Sequence, residues 1–319
     1  MTRDAKKQAE RYDLHALRER MLAETGGEVD DSIPELASAN PDVCGLAIVD
    51  DDGDVRDTPD ADLEFSVQSA VKPFVYALAL VDDRERVLDA VGTEPTGEAF
   101  DAVRLESDTG RPPNPMVNAG ALLTANLVSG STPDERFERI LSGLSAFAGR
   151  DLRVDDAVSS SEQLLGDRNR ALGYLMRSRG TLDHPVDDAI SVYARACSIV
   201  VSAEVLAVMG ATLAFGGRNP VTGAQVVPRE IVPIVLSVMA TCGMYDGSGR
   251  WMRRVGLPAK SGVAGGLFAS VPWQLGLGVY SPPLDKKGNS VRGVFACERL
   301  SDDMGLHVFG APAATSGYR

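Results

Sequence analysis

The sequence contains few of the residues from which metal sites and catalytic triads are built. It has 3 histidines and 4 cysteines in 319 residues, and no two cysteines form a Cys-x-x-Cys pair. No cluster of residues has metal-ligand spacing, so we expect no metal site. A Ser-His-Asp triad stays open, although nothing in the sequence favours one for His15, His184 or His307.

Sequence motifs of several common enzyme classes are also absent. There is no GxxxxGK[ST] loop, no GxGxxG segment after a strand, no HExxH and no GxSxG. The sequence therefore lacks the phosphate-binding loop, the dinucleotide-binding turn, the zinc-binding helix of metalloproteases and the nucleophile elbow of α/β-hydrolases.

Charge and hydrophobicity argue against two classes of partner. The formal net charge is −13 and the pI is about 4.8, which disfavours nucleic acids and anionic membranes as main partners. The first twenty residues contain no apolar core of signal-peptide length, and no run approaches a membrane span of about 18 apolar residues. We therefore expect a cytoplasmic protein with reduced, buried thiols rather than disulfides.

The order of predicted elements is strands, many helices, then strands. This order favours an α+β fold in which one antiparallel sheet is assembled from both chain ends around an all-helical middle part. We expect a helical leader over 1–28, a single domain over 29–312 and a tail over 313–319. Within the domain, the sheet is expected from about 40–60 and 258–310, and the helical part from about 65–250.

Local signals predict the individual elements. Thr132, Pro133, Glu135 and Gly149 are typical of a helix with a capping box and a C-terminal stop. Ser159 and Glu162 repeat the capping-box spacing. Apolar spacing predicts further helices over 12–24, 69–82, 186–215 and 228–243, and strands are predicted at 44–49 and in the runs AKSGVAGGLFASVP, WQLGLGVYSP, SVRGVFACERL and GLHVFG.

The segment SVQSAVKPF places a serine and a lysine, Ser69 and Lys72, three residues apart at the start of an apolar helix. Residues three apart share a helix face. A serine hydroxyl needs a base to become a good nucleophile, and a lysine amine is that base only when it is neutral. Burial lowers the pKa of an amine, and a second cation lowers it further. Lys260 is the candidate for this second cation.

The tripeptide Lys260-Ser261-Gly262 strengthens the Ser-x-x-Lys signal, which is weak when it stands alone. Ser-x-x-Lys at a helix start with Lys-[Ser/Thr]-Gly on a late strand is the arrangement of penicillin-recognising serine hydrolases. The usual middle motif of that class, Ser-x-Asn or Tyr-x-Asn, is missing between the two. A serine activated by lysine is the favoured hypothesis.

Ordered matches over about 33–310 resemble the serine-dependent glutaminase family. The resemblance implies a β-lactamase/transpeptidase-like fold and hydrolysis of L-glutamine to L-glutamate and ammonia. It also implies no metal or organic cofactor, and a homodimer or homotetramer. The matching segments are IPELA, FSVQSAVKPF, NPMVNAGAL, the pair Glu162 and Asn169, VYARACSI, GGRNPVTG, TCGMYDGSG, VGLPAKSGVAGG and SPPLDKKGNSVRG.

The resemblance also implies residue roles. Ser69 resembles the nucleophile, Lys72 its base, and Tyr245 a tyrosine that helps to move protons to the leaving ammonia. Lys260, from the Lys-Ser-Gly tripeptide, is the fourth residue that we expect in the catalytic group. The backbone N–H groups of Ser69 and Val263 match the oxyanion hole. The residues that match those holding the α-amino and α-carboxylate groups of the substrate are Asn118, Glu162, Asn169 and Tyr193.

Two positions depart from the family pattern, and other functions stay open. Ser32 stands where the family commonly has a tyrosine that lines the substrate pocket, so the aromatic wall is lost. Pro73 follows the Ser-x-x-Lys lysine, where an apolar residue with an N–H is common. The alternatives are an asparagine or β-lactam-like amide as substrate, a peptidase-type hydrolase, and a binding module on the same fold.

Overall fold

A five-stranded antiparallel sheet joins the two ends of the chain. The computed structural model describes residues 12–97 and 102–310. In the sheet the strand order is β2-β1-β7-β6-β5, and a separate two-stranded sheet pairs β3 with β4. The strands are β1 Gly45–Val49, β2 Val55–Asp57, β3 Phe65–Ser66, β4 Val200–Val201, β5 Ala259–Ser261, β6 Gly266–Val271 and β7 Leu275–Tyr280.

Thirteen α-helices occur in the described part of the chain, and most of them lie between the two groups of strands. Those in the first half are α1 Leu14–Ala23, α2 Pro34–Ala37, α3 Lys72–Asp82, α4 Arg84–Ala90, α5 Asn118–Leu127, α6 Pro133–Ala148 and α7 Asp156–Leu165. Those in the second half are α8 Asp167–Ser178, α9 Val186–Cys197, α10 Ala203–Ala214, α11 Val232–Cys242, α12 Ser248–Arg254 and α13 Val291–Met304.

Both faces of the sheet are covered by helices, which explains why its central strands are apolar without alternation. Every residue of β1, β6 and β7 is buried. Helix α10 and the helical part cover one face, and α1 and α13 pack together on the other. The predicted α+β fold, with its sheet assembled from both chain ends, is confirmed.

The prediction that the sheet continues to 310 is wrong, because residues 291–304 form helix α13. Its first turn is capped by the Ser290 hydroxyl, which accepts a hydrogen bond from the Gly293 N–H at 3.1 Å. Its buried residues recur at helical spacing, namely Ala296, Cys297, Leu300 and Met304. The segment GLHVFG contains no strand; its first residue, Gly305, is the left-handed cap at the end of this helix.

Other local predictions have mixed outcomes. The capping box of Thr132 and Glu135 is confirmed, and Gly149 ends α6 in the left-handed conformation. The predicted helix 186–215 is interrupted by β4, so it forms two helices, α9 and α10. No helix within 12–97 and 102–310 combines the length and the hydrophobicity that a membrane crossing requires.

Glycines in β7 let α10 lie directly on the sheet backbone. A Cβ at Gly278 would lie 2.0 Å from the Ala203 carbonyl oxygen and 2.7 Å from the Ala207 nitrogen. A Cβ at Gly276 would lie 2.2 Å from the Ala207 carbonyl oxygen. Real atoms do not approach so closely, and the obstacle is helix backbone rather than a side chain that can turn away. The helix-to-sheet distance therefore depends on these glycines.

We predict that Gly278→Ala destabilises the fold. The added methyl group must push α10 away from the sheet, which costs about 3 kcal/mol of unfolding free energy. Denaturant unfolding followed by circular dichroism measures this loss. The matched control is Gly249→Ala in α12, where a Cβ meets nothing within 4 Å; there the free energy of unfolding stays constant or rises by about 0.5 kcal/mol. Equal stability of the two variants would contradict the packing argument.

Candidate active site

Ser69 lies in a 3₁₀ turn that leads directly into α3. The turn spans Gln68–Val71, and α3 begins at Lys72, so the predicted helix start at 69 is three residues too early. The cause is Pro73, which has no N–H to donate to the Ser69 carbonyl. That carbonyl instead accepts from the Lys72 N–H, which is three residues on. Ser69 is 6% exposed and the Lys72 side chain is buried.

The buried amine of Lys72 has two acceptors and a lowered pKa. Its Nζ donates to Asn118 Oδ1 at 2.7 Å and to the Met116 carbonyl at 3.3 Å. Burial lowers the pKa of Lys72 from 10.5 to about 8, against the opposing effect of Glu162. A neutral amine has two N–H groups and one lone pair. Such an amine can take a proton from a neighbouring hydroxyl, which is the role expected of Lys72.

Lys260 lies in β5 and reaches the same region. Its Nζ donates to the Ser261 carbonyl at 2.6 Å and lies 4.1 Å from the centre of the Tyr245 ring. Burial, and then the charge of Lys72, lower the pKa of Lys260 well below its usual value. Lys260 is thus a poor source of the second cation that was expected to act on Lys72. Burial is the main cause of the lowered pKa of Lys72.

Tyr245 is held beside Ser69 by an unusual backbone conformation. It opens the 3₁₀ turn Tyr245–Gly247 with φ at 55°, which is rare for a residue with a side chain and costs about 1 kcal/mol or more. Its hydroxyl donates to the Ser261 carbonyl at 2.9 Å. Burial raises the pKa of Tyr245, and a hydrogen bond with the Ser69 side chain lowers it. The phenol stays neutral, and its oxygen lies at the Ser69 side chain.

A chain of hydrogen bonds extends from Lys72 to three of the residues expected at the substrate. Asn118, at the start of α5, donates through Nδ2 to Asn169 Oδ1 at 3.2 Å. The Tyr193 hydroxyl lies 3.5 Å from Asn118 Oδ1. Burial raises the pKa of Tyr193, so its hydroxyl keeps its proton. These side chains come from α3, α5, α8 and α9, which the fold brings to one point.

Glu162 lies at the same site, but it does not form the capping box that its spacing from Ser159 predicts. Burial raises the pKa of Glu162, and a hydrogen bond with Gln68 and the charge of Lys72 lower it. The predicted capping box is wrong: Asp155 caps α7 by accepting from the N–H groups of Ala157 and Val158. Glu162 and Asn169, which are seven residues apart in the sequence, lie on different helices, because α7 ends at Leu165 and α8 begins at Asp167.

The end of β5 touches the Ser69 turn because residue 262 is glycine. A Cβ there would lie 2.9 Å from the Val67 carbonyl oxygen and 3.2 Å from the Ala70 nitrogen. Within 12–97 and 102–310, neither the Ser69 N–H nor the N–H of the following residue, Val263, has a hydrogen-bond acceptor. Two unoccupied N–H donors beside a nucleophile can stabilise an oxyanion.

Ser32 does not replace the expected tyrosine as a wall of the site. It is exposed, and its N–H and hydroxyl both donate to Asp30 Oδ1. Gln68 is a site residue that the sequence did not reveal. It is buried, has φ at 47°, and donates to Ser66 Oγ at 3.3 Å in addition to its bond with Glu162. A glutamine before a serine carries no sequence signal for such a role.

Among the described residues, one group of acidic side chains is close enough to share a metal ion. It consists of Asp50, Asp51 and Asp52 in the turn between β1 and β2. A structural role explains part of this cluster, because Asp50 Oδ1 accepts from the N–H groups of Asp52 and Asp54 at 3.0 and 3.1 Å. None of the residues expected at the Ser69 site belongs to this group.

The site has the arrangement of hydrolases that use a serine nucleophile and a lysine base. The family model for glutaminases matches residues 27–309. A glutaminase of Clavibacter michiganensis subsp. michiganensis is 61% identical over 302 residues, which are 95% of this chain and 93% of that protein. A glutaminase of Microcystis aeruginosa is 49% identical over 284 residues, 89% of this chain and 84% of that protein.

Solved structures agree with these relatives. The structure of the probable glutaminase ybaS matches with a TM-score of 0.92 at 38% identity, and the match covers 98% of this chain and 100% of that one. Mglu in its glutamate form matches with a TM-score of 0.90 at 44% identity, over 93% of this chain and 69% of that one. The chain belongs to the glutaminase family, as the resemblance predicted.

The lowered pKa of Lys72 predicts the pH dependence of activity. Below its pKa the amine is protonated and cannot accept the Ser69 proton. The value of kcat/KM therefore rises about tenfold per pH unit and levels off above about 8 rather than 10.5. Lys72→Arg abolishes the rise, because a guanidinium stays protonated, whereas the exposed control Lys286→Arg retains it. A wild-type profile that still climbs towards 10.5 would contradict the burial argument.

Proposed function

We propose that this glutaminase hydrolyses the side-chain amide of L-glutamine through a covalent ester on Ser69. The chain is a glutamine-hydrolysing enzyme by its family. The observation that supports the serine mechanism is the placement of the Ser69 hydroxyl one turn from a buried amine whose pKa lies near 8. The Tyr245 hydroxyl and two N–H donors lie at the same place.

In the first step, Ser69 Oγ bonds to the amide carbon while its proton passes to Nζ of Lys72. The carbonyl oxygen becomes an oxyanion, which the N–H groups of Ser69 and Val263 stabilise. The C–N bond then breaks, and the leaving nitrogen takes a proton from Lys72, directly or through Tyr245. Ammonia departs, and a glutamyl ester remains on Ser69.

In the second step, water attacks the ester carbonyl and gives one proton to Lys72. The same N–H groups hold the second oxyanion. The bond between Ser69 Oγ and carbon breaks, and the serine oxygen recovers its proton from Lys72. Glutamate is released, and the enzyme returns to its starting state. Each step uses a neutral Lys72 amine as the base, so both require its lowered pKa.

The other end of glutamine carries an ammonium and a carboxylate. We propose that Glu162 binds the ammonium group, and that the amide and hydroxyl donors of Asn118, Asn169 and Tyr193 hold the carboxylate. Asn118 accepts a hydrogen bond from Lys72 and donates one to Asn169, which couples this end to the reacting end. Lys260 is placed to fix the Ser261 carbonyl, to which Tyr245 also donates.

We propose a leader over 1–28, a single catalytic domain over 29–312, a cytoplasmic location and a homodimer or homotetramer. Exposed apolar side chains on neighbouring helices support self-association; they are Leu164 at 77%, Leu165 at 54% and Tyr174 at 59% exposure. Light scattering of the purified protein determines the number of subunits.

The direct test of the proposed function is ammonia release by wild type and Ser69→Ala. We expect release from L-glutamine by the wild type and none by the variant. L-Asparagine is expected to be a weak substrate, since one methylene is worth about 1–3 kcal/mol in such a pocket. A chromogenic β-lactam is expected to stay intact. Preferential hydrolysis of either alternative would contradict the assignment of glutamine.

The Ser69–Lys72 pair predicts strongly non-additive mutations. Ser69→Ala and Lys72→Ala each lower kcat by about a thousandfold or more. The kcat of the double variant is no lower than that of the less active single variant. The reason is that the base has no role once the nucleophile is removed. Steady-state rates of all three variants test this, with circular dichroism as the folding control. Multiplying losses in the double variant would show that the two residues act separately.

A further inference from the structure

The segment 244–248, here called the Tyr245 turn, is closed by its own hydrogen bonds. The Ser248 hydroxyl donates to the Tyr245 carbonyl at 2.9 Å and accepts from the Met244 N–H at 3.0 Å. The Gly247 N–H donates to the Met244 carbonyl at 3.0 Å. These bonds fix the shape of the turn around its left-handed tyrosine. Because all of them are local, they do not fix where the turn lies relative to the rest of the site.

A contact from outside the turn holds the residue that follows Tyr245. The Nζ of Lys287 forms an ion pair with Asp246 Oδ2, and it also donates to the Asp246 carbonyl at 3.4 Å. The two side chains are 34% and 32% exposed. A single amine thus binds both the side chain and the main chain of Asp246, which restricts the peptide next to the tyrosine.

Lys287 extends from a second hydrogen-bonded turn, 285–289, here called the Lys287 turn. Asp285 Oδ1 accepts from the N–H groups of Lys287 and Asn289 at 2.8 and 3.0 Å. The Asp285 N–H donates to the Asn289 carbonyl at 2.8 Å. The next residue, Ser290, caps the first turn of α13. The amine that binds the Tyr245 turn is therefore supported by a closed turn joined directly to a helix of the domain.

The Lys287 turn borders the Tyr245 turn, and a cavity lies between parts of them. A Cβ at Gly247 would lie 3.5 Å from Lys287 Cδ and 3.8 Å from Asn289 Nδ2. The cavity has a volume of about 70 Å³, and residues of both turns line it. An empty volume gives up the van der Waals contacts that would otherwise fix neighbouring segments. The polar contact of the Lys287 amine therefore has a part in joining the two turns.

The position of the Tyr245 turn decides where the phenol lies. The Tyr245 hydroxyl donates to the Ser261 carbonyl at 2.9 Å, and the ring centre lies 4.1 Å from Lys260 Nζ. A left-handed conformation is disfavoured for a tyrosine and persists only where the surrounding structure enforces it. Release of Asp246 would let the backbone relax towards an ordinary conformation. The hydroxyl would then move away from the Ser261 carbonyl.

We propose that Lys287 is a positioning residue, which holds the Tyr245 hydroxyl in its working place through the ion pair with Asp246. The inference rests on the proposed function, in which Tyr245 passes a proton to the leaving nitrogen. Lys287 acts through the phenol, so it affects the chemical step rather than the binding of substrate. A partly exposed ion pair contributes only modestly to stability, so we expect an effect of several-fold rather than a loss of activity.

The test compares Lys287→Met with Lys286→Met, which removes the same charge from the exposed neighbour. We expect Lys287→Met to lower kcat/KM for L-glutamine about fivefold, and to leave the calorimetric affinity for L-glutamate within about twofold. Lys287→Arg retains the wild-type value, because a guanidinium also pairs with a carboxylate. Lys286→Met behaves as the wild type, and circular dichroism is the folding control. Equal kcat/KM for the two methionine variants would overturn the proposal.

Removal of the other partner separates positioning from an effect of charge at a distance. Lys287→Met removes a positive charge and Asp246→Ala a negative one, so a distant charge effect would change kcat/KM in opposite directions. Loss of the contact lowers kcat/KM in both variants. The double variant is then no less active than the less active single variant, because the ion pair can be lost only once. Opposite changes, or losses that multiply in the double variant, would overturn the proposal.

The Tyr245→Phe variant connects Lys287 to the phenol. In this background Lys287→Met is expected to have no further effect on kcat/KM, because no hydroxyl is left to position. A further loss of about fivefold would overturn the proposal, since Lys287 would then act by another route. If Tyr245→Phe is impaired but Lys287→Met has the wild-type kcat/KM, only the role of Lys287 is wrong. If Tyr245→Phe itself retains the wild-type kcat/KM, the proposed role of Tyr245 and this inference both fail.

Discussion

The burial of one amine, that of Lys72, is the constraint on which the active site depends. Its pKa falls to about 8 because water is excluded around it, although Glu162 opposes the shift. Its N–H groups donate to two neutral acceptors, the Asn118 side chain at the start of α5 and the backbone carbonyl of Met116 just before that helix. In the mechanism that we propose, tight helix packing in the middle of the chain therefore has a chemical purpose, because it provides a base close to neutral pH.

The sheet supplies the other half of the site. Strand β5 carries Lys260 and ends at Gly262, whose missing side chain lets the backbone touch the Ser69 turn. The carbonyl of Ser261 accepts from both Lys260 and Tyr245, so the strand holds the phenol beside Ser69. The strained residues Gln68 and Tyr245 lie on the two sides of this contact, and packing between the sheet and the helical part must maintain their conformations.

Much of the fold follows from the sequence, because apolar runs and capping residues act locally. The Thr132 capping box and the strands at both chain ends are examples. Helix α13 was missed because its valine, phenylalanine and glycine residues resemble a strand, while its capping by Ser290 is a weaker signal. Gly166 separates the helices that carry Glu162 and Asn169, so the spacing of these two residues in the sequence does not describe their placement. Gln68 was missed because it bonds to Glu162 across a long stretch of chain, and no local pattern records such a contact.

The central claim is that the Lys72 amine loses its proton at an unusually low pH. Labelling the ζ nitrogen of lysine gives NMR signals for six amines. The signal that disappears in the Lys72→Met variant belongs to Lys72. Titration of this signal in the intact protein measures its pKa directly, without substrate or turnover. The account predicts a midpoint at about 8. A midpoint near the ordinary value of 10.5 would contradict it, because Lys72 would then be a cation under conditions in which Ser69 needs a base.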